Sequence, residues 1–103
     1  MSPPETVHLR VDGEMTIYRA AELKPQLMAA LDQAPAVALD LRGVAEIDTA
    51  GVQLLLLARR TAVERQRALH LVNPSTAVMD ALRLLDLLPH FGDAIAVPAP
   101  AGG

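Results

Sequence analysis

Residues 36–57 read Ala36-Val37-Ala38-Leu39-Asp40-Leu41-Arg42-Gly43-Val44-Ala45-Glu46-Ile47-Asp48-Thr49-Ala50-Gly51-Val52-Gln53-Leu54-Leu55-Leu56-Leu57. The opening hexapeptide is almost wholly apolar, which suits a central strand covered on both faces. Arg42 to Ile47 reads as a loop. From Ala50 to about Arg67 the chain reads as a helix. Its first half is Leu-rich all round, and its second half carries Arg59, Arg60, Glu64, Arg65 and Arg67, so the N-terminal end is the buried one. A strand that runs into a helix belongs to a strand–helix–strand unit, and such units require parallel pairing with right-handed crossovers.

The flanks repeat this alternation. Upstream, Val7, Leu9 and Val11 alternate with His8 and Arg10, the period of a half-buried strand. Asp12-Gly13 is a hairpin signal, so a second strand at Glu14–Tyr18 is expected to pair antiparallel with the first. Ala20, Leu23, Leu27 and Leu31 mark one face of a helix. Pro25 interrupts that pattern and is tolerated only in the first turns, which moves the expected start toward Lys24. Ala34-Pro35 closes the unit. Downstream, Ala68–Val72 is a short strand, and Asn73-Pro74 reads as the cap and first position of a third helix. Val78, Leu82 and Leu85 form the inner stripe of that helix, and Pro89 ends it. Ile95–Val97 supplies a last edge strand. The order is β-β-α-β-α-β-α-β, an α/β fold with a mixed sheet and helices mainly on one side. Residues 5–97 form one domain. Residues 1–4 and 98–103 are small-residue, Pro-rich ends expected to be flexible.

Composition narrows the function. The chain has 103 residues, 51% of them hydrophobic and 20% charged, so general disorder is excluded. It contains no Cys, hence no thiolate metal site and no cysteine nucleophile. The net charge of -3 argues against nucleic-acid binding by global charge. Tyr18 and Phe91 are the only aromatic residues, too few for base stacking. No signal peptide is visible, and the longest apolar run falls far short of the ~20 residues of a membrane span. A cytoplasmic protein is expected.

The candidate chemistry sits at Asp48-Thr49-Ala50-Gly51, where a loop enters a helix. Asp48 or Thr49 can accept from the unpaired N–H groups of the first turn, which makes a helix cap one reading. The second reading uses the same geometry. A phosphate on Thr49 would meet the positive end of the helix, while a partner fitted to the neutral hydroxyl would be repelled by charge and bulk. Other sites are weaker. His8, His70 and His90 lack metal-ligand spacing and read as surface or sheet-edge residues. Asp12, Asp40 and Asp48 do not make a receiver-type phosphorylation site, because the only lysine is Lys24 on the first helix. Ser75 reads as a cap. Arg59, Arg60, Arg65 and Arg67 read as a solvated face, with an anionic partner as the alternative. No metal, cofactor or catalytic residue is expected, and the chain is not read as an enzyme.

Asp48-Thr49-Ala50-Gly51 before a Leu-rich helix and after Val37-Ala38-Leu39-Asp40-Leu41 resembles the STAS family. That family includes anti-sigma-factor antagonists and the cytoplasmic domains of sulfate transporters. Asp12-Gly13-Glu14-Met15-Thr16 resembles the family's turn and second strand, and Val72-Asn73-Pro74-Ser75 to Leu85 resembles its last strand–helix segment. The tetrapeptide alone specifies little; its placement between these elements is what carries the resemblance, which spans about residues 5–97. In the antagonist branch the residue after the motif Asp is phosphorylated by a partner kinase, and the matching residue is Thr49. Ala50 and Thr16 depart from that branch, which often has a second hydroxyl and an Asp there. Met15 to Leu23 is similar to stand-alone STAS proteins of chemotaxis and sensory-kinase systems. The motif also resembles the small STAS subunit of the lipid-asymmetry ABC transporter.

The resemblance implies a regulatory interaction module. Its partner-binding surface would comprise Asp48, Thr49, Ala50, Gly51, Val52 and Gln53, joined by Thr16, Tyr18 and Arg19. Asp48 would orient the Thr49 hydroxyl, and Gly51 would admit the backbone of a partner. The implied partner is a protein kinase, anti-sigma factor or sensory kinase of the histidine-kinase-like ATPase fold. The alternative is an ABC transporter ATPase carrying this chain as a constitutive subunit. Neither reading involves nucleic acid or membrane insertion.

Overall fold

The computed structural model describes residues 5–91 and 95–96. Among the described residues, four strands and four helices follow in the order β1 (Thr6–Met15), α1 (Ile17–Gln33), β2 (Ala36–Ile47), α2 (Thr49–Glu64), β3 (Ala68–Val72), α3 (Thr76–Leu84), α4 (Leu88–Phe91) and β4 (Ile95–Ala96). The strands lie in the order β1-β2-β3-β4, and every neighbouring pair is parallel. The α/β class stands, with a parallel sheet in place of a mixed one.

The expected hairpin does not form. Asp12-Gly13 sits inside β1, where Gly13 takes φ 82° and the pairing with β2 slips between Arg10 and Asp12 and again between Gly13 and Glu14. A glycine at positive φ serves a bulge as readily as a turn. Here the strand bends and continues alongside β2, because residues 42–47 form the far half of that strand instead of a loop. Helix α1 therefore begins at Ile17, well before Lys24, and Pro25 lies in its interior. Proline removes the N–H that would bond the Ala21 carbonyl. Both residues are exposed, so water can satisfy the freed oxygen. At the far end of α1, Ala34 takes the extended conformation that a following proline favours.

One face of the sheet carries the core. Val11, Val37, Leu39, Leu41, Leu69 and Leu71 pack there against Leu23, Leu27 and Leu31 of α1, Leu55, Ala58 and Ala62 of α2, Val78 and Leu82 of α3, and Phe91 of α4. Alternate residues point the other way. In register across the sheet they run His8, Ala38, His70 and Arg10, Asp40, Val72, and the histidines and Arg10 are exposed. Strand β2 is thus central but covered on one face only. Its apolar run misleads because the uncovered face holds alanines, Ala36 half-buried and Ala38 8% exposed, in place of larger apolar side chains.

The third helix also starts later than expected. Asn73 takes φ 49°, and Ser75 is the cap, its hydroxyl accepting from the Val78 N–H at 3.2 Å. Pro89 lies within the separate short helix α4. The expected edge strand is present as Ile95–Ala96 beside β3; Val97 and the two expected flexible ends fall outside the described residues.

Candidate functional site

The site is built by the long β1–β2 ribbon. Past the bulges, Glu14 pairs with Glu46 and Met15 with Ile47. One residue follows in each strand, Thr16 and Asp48, and then both chains turn into helices at Ile17 and Thr49. Parallel register therefore sets two helix N-termini side by side. Each brings unpaired N–H groups and the positive end of a helix dipole.

Asp48 serves both. One carboxylate oxygen accepts from the Gly51 N–H at 3.1 Å and caps α2. The other accepts from the Ile17 N–H at 3.0 Å, at the start of α1. Thr16, the residue preceding α1, makes no side-chain cap of its own, so Asp48 substitutes for it across the gap. These backbone bonds, Ile17 first and Gly51 second, hold the Asp48 carboxyl below the usual carboxylate range. The Asp48 N–H in turn donates to the Met15 carbonyl at 3.3 Å, closing the junction between strand and helix. Among the described residues no hydrogen bond joins Asp48 to the Thr49 hydroxyl. Asp48 thus positions the helix that carries Thr49, and does not orient the hydroxyl itself.

Gly51 is required inside the molecule. A Cβ there would lie 2.1 Å from the Met15 carbonyl oxygen and 2.8 Å from Ile47 Cγ1. The backbone that Gly51 admits is the protein's own, and Gly51 and Val52 are both buried. They leave the expected contact surface for this reason. Thr16 leaves it too: it is 8% exposed, and its hydroxyl has no partner among the described residues. Arg19 is occupied elsewhere. Its guanidinium donates to the carbonyls of Asp12 and Glu14 at 2.5 and 3.2 Å, bracing the bulged end of the edge strand β1.

A smaller set remains at the surface. Thr49 is exposed as the first residue of α2, Gln53 is exposed one turn further on, and Ala50 is half-buried between them. Tyr18 is 88% exposed at the start of α1, with Ile17 beside it at 66%. On the other flank a depression of ≈ 180 Å³ is lined by Asp48, Thr49, Ala81, Leu84 and Leu85 among others. Leu84 is 85% and Leu85 47% exposed. Sequence periodicity placed Leu85 inside the core, but α3 stops at Leu84 and the chain turns at Asp86 with φ 56°. Leu84 and Leu85 are thereby left outside while Leu87 and Leu88 pack against the core, and the signal that could have exposed the first two was the crowding of Leu82, Leu84, Leu85, Leu87 and Leu88, more than one helix face can bury.

The family model described as "Mlab, STAS domain" matches residues 2–88. The chain belongs to the STAS family. Solved structures agree in fold. A sulfate transporter family protein from Wolinella succinogenes matches at TM-score 0.77 and 21% identity, over 92% of this chain and 79% of that one. The anti-sigma factor antagonist SpoIIAA in its unphosphorylated form matches at 0.72 and 21%, over 99% and 87%. The Bacillus cell fate determinant SpoIIAA in the phosphorylated form matches at 0.71 and 20%, over 99% and 90%. No curated protein matches significantly. In this STAS domain the motif Asp48-Thr49-Ala50-Gly51 therefore divides by depth: the Asp and Gly fasten the α2 terminus, and the Thr is presented. No described helix is long and apolar enough to cross a membrane.

The arginine cluster divides as well. Arg65 pairs with Asp32, and Arg67 donates to the Asp32 carbonyl at 3.4 Å, tying the end of α2 to the end of α1. Arg59 and Arg60 stay on the outer face of α2 beside His90.

Proposed function

We propose that this STAS domain is a cytoplasmic regulatory module that binds a partner through the Thr49 end of α2 and is switched by phosphorylation of Thr49. The observation that carries this reading is the exposure of Thr49 on a rigidly fastened helix terminus, with Ile17 and Tyr18 on one side and Leu84 and Leu85 on the other. The apolar flanks supply contact area, and the hydroxyl between them is the point at which charge decides the outcome. A phosphate brings roughly -1.5 to -2 charges at neutral pH. Asp48 is already committed to two backbone N–H groups, so the added charge does not displace the clamp. The partner face, fitted to a small neutral group, is what rejects it.

The phosphate donor is a kinase of the histidine-kinase-like ATPase fold, acting in an anti-sigma or sensory pathway. The STAS domain is substrate and ligand, not catalyst. The reading draws support from SpoIIAA, an anti-sigma factor antagonist whose structure matches in both phosphorylated and unphosphorylated forms. The test is affinity capture with mass spectrometry of the partners and of the Thr49 peptide, followed by binding of Thr49→Ala and Thr49→Glu. Binding kept by Ala and lost by Glu is expected. Equal affinity of the two variants would sink the switch.

A second reading is favoured by the family model itself, described as "Mlab, STAS domain", and by Ala50, which leaves Thr49 without a neighbouring hydroxyl. In it the chain is a constitutive subunit docked on an ABC ATPase, and Thr49 is an interface contact. An ATPase partner with unmodified Thr49 would select it.

A further inference from the structure

The outer face of α2 departs in part from that of an ordinary surface helix. Such a helix turns charged and polar residues to solvent and keeps its apolar stripe for the core. Helix α2 buries Leu54, Leu55, Ala58 and Ala62, yet it also leaves Leu56 and Leu57 half-buried and Val63 63% exposed. Leu56, Leu57 and Val63 line a groove of ≈ 580 Å³ together with Gln53, Arg59, Arg60, Glu64 and His90. The outward side of α2 keeps Gln53, Arg60 and Glu64 in solvent, as an ordinary surface helix does, but Leu57 and Val63 interrupt that polar stripe.

The charges on the groove say what covers it. Arg59 has no carboxylate partner among the described residues. Arg60 meets Glu64 only at 4.0 Å, with both side chains well exposed. His90 adds a third nitrogen-bearing group at the rim. Arg65 and Arg67 take no part, since Asp32 holds both. With Glu64 also on the lining, the groove sets two guanidinium groups against one carboxylate, a net positive charge in a chain whose net charge is -3. Leu56, Arg60 and Val63 follow one another at steps of four and three, the spacing a second helix reads when it lies in such a groove.

We propose that the Leu56–Glu64 face of α2 seats an acidic amphipathic helix of a partner protein, with apolar side chains on Leu56, Leu57 and Val63 and carboxylates against Arg59 and Arg60. This contact goes beyond the Thr49 switch and does not depend on it. A partner engaging both would gain affinity from the groove and leave the on–off decision to Thr49.

The test uses the full chain, isotope-labelled for NMR, and two synthetic helical peptides that share one leucine face. One carries flanking glutamates, the other flanking lysines. The glutamate peptide is expected to shift the Leu56, Leu57, Arg60 and Val63 amides saturably. It should bind at least about fivefold tighter than the lysine peptide, the worth of one to two exposed ion pairs. Arg59→Glu with Arg60→Glu should invert that preference, with circular dichroism confirming the fold; Arg59→Gln with Arg60→Gln should erase it and serves if the reversal unfolds the chain. Equal binding of both peptides, no binding, or shifts centred on Leu84 would overturn the proposal. So would concentration-dependent shifts at these residues without peptide, which would assign the face to a second copy. Shifts there on removing residues 97–103 would assign it to the chain's own tail, with the same consequence. Thr49→Glu should leave the glutamate peptide bound within about twofold, so a failed switch and a failed groove are told apart.

Discussion

Replacing Gly51 by Ala separates an internal role for this glycine from a role at a partner interface. If Gly51 served only to admit a partner, the change would stabilise the free protein, because Ala is better than Gly inside a helix by about 1 kcal/mol. The structure dictates the opposite sign. The new Cβ would start 2.1 Å from the Met15 carbonyl oxygen and 3.0 Å from its carbon, where ordinary contact begins at 3.4 Å. The first turn of α2 must retreat by about 1.3 Å, the difference between these distances. Retreat breaks the Asp48 N–H bond to that same carbonyl, already 3.3 Å long, and pulls the Asp48 carboxylate from the Ile17 N–H. Overpacking typically costs 1–3 kcal/mol, and a clash with backbone belongs at the upper end, about 3 kcal/mol. Less the helix-propensity gain, about 2 kcal/mol of destabilisation remains. For a domain of this size that lowers Tm by roughly 8–16 °C. Urea unfolding should show a lower midpoint with an unchanged slope, meaning stability fell while the surface exposed on unfolding did not change. Adding Ile47→Ala should not rescue the variant, because the nearer contact is backbone. A Gly51→Ala protein as stable as the parent would refute the reasoning, and with it the account of how α2 is seated.

Other expectations follow from the same geometry. Asp48 has a folded pKa below its unfolded value, so its contribution is present above about pH 4 and is lost as pH falls through the folded pKa. Between pH 5 and 2 the parent should therefore lose more stability than Asp48→Asn, as measured by denaturant titration at each pH. Arg19→Ala uncovers the carbonyls of Asp12 and Glu14 on the edge strand β1. Exposed edges template strand pairing, so sedimentation should show concentration-dependent self-association absent from the parent. Leu84→Ser removes an exposed side chain and should shift stability by no more than about 0.5 kcal/mol, while weakening capture of the partner proposed to read Thr49.

The α/β class and the placing of Asp48-Thr49 at a helix start were legible because they rest on local signals. An apolar hexapeptide marks a strand and an Asp-Thr before a run of leucines marks a helix entry at short range, although neither says how many faces are covered or what the Thr does. The misread features were decided at long range. Asp12-Gly13 offers the backbone both a turn and a bulge, and the choice fell to the pairing of Glu14 and Met15 with Glu46 and Ile47, some thirty residues away. That pairing also removed Thr16 from the surface and moved the start of α1 past the range that Pro25 alone suggested. Gly51 shows the same division: its need for close approach was readable, but the identity of the approaching backbone was not. Leu85 failed for another reason, since periodicity assigns faces only while a helix continues, and α3 ends at Leu84.

The sharing of Asp48 between two helices bears on how a switch at Thr49 can operate. A single carboxylate accepts from the start of α1 and from the start of α2, so the two termini are tied to each other through one side chain. Ile17 and Tyr18 on α1 and Thr49 on α2 are then held as one surface, although more than thirty residues of sequence separate them. A phosphate arriving at such a surface need not reshape it to act. A rigid presenter puts the full penalty of misplaced charge on the bound state, because the domain cannot relax to absorb it. Loosening the clamp should therefore blunt discrimination between free and phosphorylated Thr49 before it weakens binding itself. Asp48→Asn combined with Thr49→Glu is the variant in which residual partner binding should reappear.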